Sequence, residues 1–344
     1  MRIKYSEKKY LCEYDLNIDL FNEFNIQVND LVPIRGVFIL DTNSGKKILK
    51  KINYNNKNLD FIVKSLDYTR VKYKNLMSLN KNLNEENCIC RDGNKYILID
   101  LIEGRECAFC NPVEIEMVSR ALANFHKASI GIYENFKKEY LEYINVGNLE
   151  HRLSNSLKEL EKFEKMVINY SYKNKFDEMF LENVDYYINE IKSCLELFKS
   201  INYKEIQKDI KNIVLCHNDL AHHNIIIRDE EVHFIDFDYS DIDLKAKDLA
   251  NFSIKVIKKL AFDFEIFNSI LNQYTSINKL TNEEYKLLYL FMKYPKDFYT
   301  IVKNYYNKEK NWEEEIYLNR FLNKLDYKED MKEFLIKFKN NFIK

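Results

Sequence analysis

Leu215-Cys216-His217-Asn218-Asp219-Leu220-Ala221-His222-His223-Asn224, followed by Phe234-Ile235-Asp236-Phe237-Asp238, is the stretch on which the reading of this chain turns. It has the form HxDLxxxN, with an Asp twelve residues further on at the end of an apolar run. Two short β-like runs, Ile225-Ile226-Ile227 and Val232-His233-Phe234-Ile235, lie between, so a hairpin is expected to bring Asp236 back alongside Asn224. Phosphoryl transfer needs these residue types. One carboxylate must sit beside the accepting hydroxyl and take its proton, while an amide and a second carboxylate hold Mg²⁺ against the nucleotide phosphates. Asp219 fits the first role; Asn224 and Asp236 fit the metal. Asp and Asn also favour turns between strands, but four positions matching in type and spacing, each beside an apolar strand, exceed what turn chemistry explains.

The neighbouring residues take supporting roles. His217 is expected to pack under the loop and brace its backbone, not to act as the general base. His217, His222 and His223 crowd one loop and lack a fourth ligand at zinc spacing. Asp238 either assists a second metal ion or caps the turn. Asp248, in Asp248-Leu249-Ala250-Asn251-Phe252, opens a helix and is expected to brace the loop.

Upstream, the first hundred residues read as strand-rich. Asp30–Leu40 is an extended apolar run, Asp41-Thr42-Asn43-Ser44-Gly45 has hairpin-turn chemistry, and Lys46–Ile52 returns as a second strand. Leu59, Ile62, Val63, Leu66 and Val71 give residues 59–77 helical spacing. A second hairpin, Cys88–Cys90 and Tyr96–Ile102, turns at Arg91-Asp92-Gly93-Asn94. From Pro112 helical periodicity dominates, through 113–127, 149–165, 176–199 and most of 245–344. The expected fold is α+β, with a nucleotide-binding lobe over 1–103 and a helical lobe over 104–344 that carries the catalytic loop and metal site. The cation for the phosphates is Lys50, which strand alternation puts on the face opposite Leu49; Lys51 is its rival. Asp100 and Ile102, at the hinge, complete the nucleotide-binding positions. The helix 59–77 has Asp60 and Asp67 but no Glu to pair with the lysine, and a glycine-rich phosphate loop is missing, leaving Gly36 alone near the first hairpin.

Composition narrows the alternatives. The chain has 344 residues, 46% apolar and 14% aromatic, so a large core can be buried and wholesale disorder is excluded. A net charge of −1 offers no basic footprint for nucleic acid. Six glycines, none spaced as GxGxxG and none in a Walker pattern, exclude the usual dinucleotide and P-loop sites. The charged start Met1–Glu7 lacks the apolar core of a signal peptide, and no window has the length of a membrane span, so a soluble protein made in the cytoplasm, with no membrane partner, is expected. Seven scattered cysteines read as free thiols, not as a zinc site built on Cys88, Cys90, Cys107 and Cys110.

With these residues assigned, the chain resembles the aminoglycoside phosphotransferase and choline-kinase branch of the protein-kinase-like fold, and more narrowly the CotS family of spore coat proteins. The residues that carry this are 217–224, 234–239 and 248–252, with Glu103-Gly104-Arg105-Glu106-Cys107 and Leu122–Ser129. The resemblance implies a bilobal kinase fold, ATP and Mg²⁺ as cofactors, and a protein made for or deposited in the spore coat, with other coat proteins admitted as partners. It does not supply the acceptor. In this alignment Asp238 replaces the glycine that follows the metal-binding Asp-Phe of protein kinases. Two classes of function fit. One is an ATP- and Mg²⁺-dependent phosphotransferase acting on a small hydroxyl-bearing molecule, supported by Lys50, Asp219, Asn224 and Asp236. The other is an inactive pseudokinase that scaffolds the coat, supported by the missing glycine loop and helix glutamate.

Overall fold

The computed structural model describes residues 16–343; the start Met1–Glu7 and Cys12 lie outside them. Contacts divide the chain into two compact units, one running to Cys107 and regaining His222–Asp238, the other made of Ala108–Ala221 and the chain from Tyr239.

The first unit opens with a short helix, α1 (Ile18–Glu23), capped by Asn17, whose side chain accepts from the Leu20 amide at 3.1 Å. An antiparallel sheet follows: β1 (Val28–Ile34), β2 (Val37–Thr42), β3 (Gly45–Ile52), β4 (Leu79–Asn80), β5 (Ile89–Arg91) and β6 (Asn94–Asp100), in the order β1-β2-β3-β6-β4 with β5 also on β6. Alternation buries Phe38, Leu40, Leu49, Tyr96 and Leu98 with Leu20, Phe21 and Phe24 of the α1 segment. The Asp30–Leu40 run is two strands, not one. Arg35 (φ +46°) and Gly36 (φ +81°) are both left-handed and form the two-residue turn of a tight hairpin, with Ile34 opposite Val37. The expected turns at Asn43-Ser44 and Asp92-Gly93 are where the sequence puts them.

Helix α2 (Asn56–Arg70), capped by Asn55, buries Leu59, Phe61, Ile62 and Leu66. It stops short of the expected residue 77 because the next segment has another partner. Phe234 donates to the Asn75 carbonyl at 3.1 Å and Met77 to the Phe234 carbonyl at 3.1 Å. A second small sheet sets β7 (Arg105–Glu106) and β10 (Glu231–Phe234) on either side of β9 (Ile225–Arg228). These bonds tie residues 222–238 to the first unit, although the expected boundary at 103/104 kept them with the helical part. Gly104 is required here: a Cβ would come within 2.7 Å of the Ile227 carbonyl oxygen.

The second unit is helical around one β-pair, β8 (Ile213–Cys216) with β11 (Asp241–Leu244). Its first helices are α3 (Pro112–Ala128), α4 (Ile132–Phe136), α5 (Leu149–Ile168), α6 (Lys175–Ser200) and α7 (Tyr203–Lys208). After β11 come α8 (Lys245–Ile257), α9 (Phe264–Ile277), α10 (Asn282–Lys293), α11 (Lys296–Tyr306), α12 (Glu314–Leu325) and α13 (Lys328–Phe342). Capping boxes start α6 (Asn174 with Asp177) and α10 (Thr281 with Glu284). An aromatic core joins α5, α6, α11 and α12; in it the Phe298 ring stacks on Tyr187 with centroids 3.6 Å apart. Among the described residues no helix is long and apolar enough to cross a membrane, and Cys107, Cys194 and Cys216 are buried free thiols.

Candidate active site

In the first unit the β9–β10 hairpin turns at Asp229 and Glu230, both left-handed. The Ile235 amide then donates to the Asn224 carbonyl at 3.0 Å, so the two halves of the motif meet. Asn224 itself is buried. Asp236 is left-handed (φ +66°), a conformation an Asp tolerates at a cost of about 1 kcal/mol. Phe237, fully buried, anchors the segment, and Asp236 and Asp238 on either side of it reach one cation. The Lys50 ammonium donates to Asp236 Oδ1 at 2.8 Å and to Asp238 Oδ2 at 2.7 Å. The Tyr54 hydroxyl donates to the other Asp238 oxygen at 3.2 Å. Burial would lower the Lys50 pKa, but Asp236 and Asp238 outweigh it and hold it above the usual lysine value. Burial pushes the Asp238 carboxyl upward against the pull of Lys50.

Lys50 thus lies on the strand face opposite Leu49, while Lys51 shares the Leu49 face and pairs across to Tyr96. The missing helix glutamate has a substitute: the acids on Lys50 come from residues 236 and 238. The two acids of α2 pair elsewhere, Asp60 with Lys64 and Asp67 with Arg70. Asp100 also has its side chain on the Leu49 face, where Lys47 reaches it at 2.5 Å and Asn80 at 3.0 Å. A nucleotide role for Asp100 therefore has to run through its main chain. Ile102 makes no backbone–backbone hydrogen bond among the described residues, which leaves its amide and carbonyl available. Tyr54 carried no sequence signal; it is identified by its hydrogen bond alone.

In the second unit the loop after β8 is held from below. His217 is fully buried, and Asp248, at the start of α8, takes its amide on Oδ2 and the Asn218 amide on Oδ1, both at 2.8 Å. His126 Nε2 lies 3.2 Å from the same carboxylate, and its Nδ1 lies 2.7 Å from the Tyr274 hydroxyl. Burial opposes the Asp248 charge, yet the hydrogen bond and field of His126, with those of His217, outweigh it and hold the carboxyl at about 2. Burial lowers the His126 pKa below its usual value despite Asp248. The Asp219 amide donates to His217 Nδ1 at 3.3 Å, so the His217 ring supports the loop backbone. Asn218 is left-handed (φ +64°), and its side-chain amide donates to the Tyr239 carbonyl at 2.9 Å and to Asp241 at 2.8 Å. The Asp219 carboxylate contacts the Lys255 ammonium two turns along α8 from Asp248. Lys255 had no signal in the sequence.

The metal assignment has a chemical test. Asn224, Asp236 and Asp238 offer hard amide and carboxylate oxygens, the donors Mg²⁺ takes, and both carboxylates already converge on one positive group. Among the described residues no group of three or more His, Cys, Asp or Glu is arranged to hold a metal alone. The donor set therefore fits an ion completed by phosphate oxygens and water.

Comparison with known proteins agrees with this fold. Spore coat protein S of Bacillus subtilis (strain 168) is 24% identical over 310 residues, 88% of this chain and 86% of that protein. The crystal structure of an aminoglycoside phosphotransferase from Alicyclobacillus acidocaldarius superposes with a TM-score of 0.80 at 13% identity, covering 95% of this chain and 96% of the other. Spectinomycin phosphotransferase APH(9)-Ia, crystallised with ADP and spectinomycin, gives 0.66 at 16% identity over 93% and 96%. The architecture is therefore the α+β kinase-like one, and residues 17–338 match the model of a single family across nearly the whole chain. The chain belongs to the family described as spore coat putative kinase YutH.

Proposed function

We propose that this spore-coat kinase-like protein is an ATP- and Mg²⁺-dependent phosphotransferase acting on a small hydroxyl-bearing acceptor, and that it works at the spore coat. The observation that carries the reading is the grip of Asp236 and Asp238 on Lys50, at 2.8 and 2.7 Å across 186 and 188 residues of sequence. It joins the β3 cation to the carboxylates of the motif, as phosphate binding requires. Lys50 would hold the nucleotide phosphates, and the main chain at Asp100 and Ile102 the base. Asn224 and Asp236 would hold Mg²⁺, whose chemistry is to neutralise charge on the phosphate oxygens. Asp219 would orient the acceptor hydroxyl and accept its proton as the new oxygen–phosphorus bond forms and the bond to the ADP oxygen breaks. His217 and Asp248 position that carboxylate by fixing the loop backbone.

A pseudokinase reading draws on one observation: Lys50 is engaged by Asp236, the carboxylate proposed for the metal, and by Asp238, with no acid from α2 on it. ATP turnover against a panel of hydroxyl compounds, run beside ATP affinity, separates the two. Phosphate transfer that disappears in Asp219→Asn supports the enzyme. ATP binding with no turnover of any acceptor supports the scaffold.

A further inference from the structure

At the end of α11 away from the Asp219 loop, the second unit has an open cavity of about 490 Å³. The helix fixes the separation. Its first turn carries Asp297, which pairs with Lys258, one turn along α8 from the Lys255 that holds Asp219. Tyr305 and Tyr306, in its last turn, line the cavity about 13 Å further along the axis. Half of the lining is aromatic: Tyr170, Tyr172, Tyr305, Tyr306, Trp312 and Tyr317.

The walls are fixed by bonds that do not involve a ligand. The Lys173 ammonium donates to the carbonyls of Ile168 and Tyr170 at 3.1 and 2.8 Å, closing the end of α5. The Asn174 amide group donates to the Tyr305 hydroxyl at 2.6 Å, and the Tyr306 hydroxyl to Asp177 Oδ1 at 3.0 Å. The Tyr317 hydroxyl meets the carbonyls of Asn304 and Lys310 at 3.1 and 2.7 Å, which holds the α11–α12 connection. The Arg320 guanidinium lies 4.1 Å from the centre of the Trp312 ring. Within this frame two rings stay in solvent. Tyr172 is 81% exposed and Tyr170 37%, and neither belongs to the aromatic core beneath them. Two exposed rings on one preformed cavity mark a binding surface more than a packing need.

Charge decides the class of ligand. Lys308 and Lys310 balance Asp177 and Glu314 around the rim. Asp177 is also spent, since Oδ1 takes the Tyr306 hydroxyl and Oδ2 the Asn174 main-chain amide at 3.2 Å. An ion of either sign therefore finds no net counter-charge. A neutral ligand fits, one with an apolar face for the rings and many hydroxyls for the amide of Asn311, the carboxylate of Glu314 and the Lys308 ammonium. A saccharide has both: the C–H face of a sugar ring lies on the electron-rich face of a tyrosine while its edge carries the hydroxyls.

We propose that this cavity is a saccharide-binding site, with sugar rings stacked on Tyr172 and Tyr170. It is separate from the candidate active site and does not depend on phosphate transfer.

Trp312 is the one tryptophan of the chain, so its fluorescence reports on the cavity directly. The full chain is titrated with chitotriose and with maltotriose, and with tetramethylammonium and p-cresol as cationic and apolar aromatic controls. At least one trisaccharide should change the Trp312 emission saturably. Tyr172→Ala should weaken that binding about fivefold or more, and Tyr172→Phe should retain most of it. Tyr172→Ala should melt near the wild-type midpoint, because the ring removed is mostly in solvent. Asp219→Asn should bind the sugar as wild type does. No saturable change with either trisaccharide overturns the inference, as does unchanged affinity in Tyr172→Ala. Binding of tetramethylammonium or p-cresol as tight as that of the sugars overturns it in favour of a cation cage or a plain apolar pocket. Sugar binding lost in Asp219→Asn overturns it by placing the sugar at the active site, and leaves the phosphotransferase reading standing.

Discussion

Asp248→Asn isolates the support beneath the loop. The carboxylate is fully buried and accepts two backbone amides at 2.8 Å, with His126 at 3.2 Å. The asparagine keeps one carbonyl oxygen for one amide and turns an NH₂ group toward the other. One charge-assisted bond, worth about 1.5–3 kcal/mol, is lost, and a buried N–H is left unsatisfied at about 1–3 kcal/mol. Part of this is recovered if the His126 tautomer reverses and accepts from the new NH₂. The expected loss is about 3 kcal/mol at pH 7, read from urea unfolding. The pH dependence gives a second check. With the Asp248 carboxyl at about 2 in the fold and 3.8 as its ordinary value, the charged form contributes about 2 kcal/mol. Because the folded value is the lower one, that stability is present above about pH 4 and is lost as pH falls toward 2. His126, buried neutral, adds a separate loss as pH falls below 6.5. The gap between wild type and Asp248→Asn should therefore narrow as pH falls from 4 to 3. A cost under about 1 kcal/mol at pH 7, or a gap that stays constant, would refute this account of the loop.

Three further outcomes follow from the geometry. Asp219→Asn keeps the shape of the side chain but removes the charge, so phosphate transfer should fall at least 10²-fold with ATP affinity within about twofold of wild type. His217→Gln should instead lower the unfolding midpoint while retaining measurable transfer, since the ring supports backbone. Gly104→Ala puts a Cβ within 2.7 Å of the Ile227 carbonyl and the Ile226 side chain, and should cost about 1–3 kcal/mol by displacing β7 from β9, visible as faster amide exchange in 225–228.

The motif was legible because its residue types are local: Asp219, Asn224 and Asp236 lie within eighteen residues, and a hairpin with a tight turn accounts for the return. The strand face of Lys50 was legible from alternation, since only one of two adjacent lysines can lie opposite Leu49. The Asp92-Gly93 turn was equally plain, while Arg35-Gly36 was hidden inside an apolar run in which neighbouring side chains all looked like one strand. What stayed invisible were pairings made by distance in sequence. Sequence reasoning sought the Lys50 acid on the following helix, yet it lies at Asp236 and Asp238. Lys255 had no signal in the sequence, and only the packing of α8 against the loop after β8 brings it to Asp219. The end of α2 was misplaced for a similar reason: the apolar pattern continues to Met77, but backbone bonds from Phe234 claim that segment.

The central claim is that the Asp236 carboxylate holds the metal that accompanies the nucleotide. Calorimetric titration of ATP into wild type and Asp236→Asn, each with and without Mg²⁺, tests it most directly. Wild type should bind ATP at least tenfold more tightly with Mg²⁺, and the variant should lose that difference while unfolding in a single transition near the wild-type midpoint. Wild-type binding indifferent to Mg²⁺, or an unchanged Mg²⁺ dependence in Asp236→Asn, would contradict it.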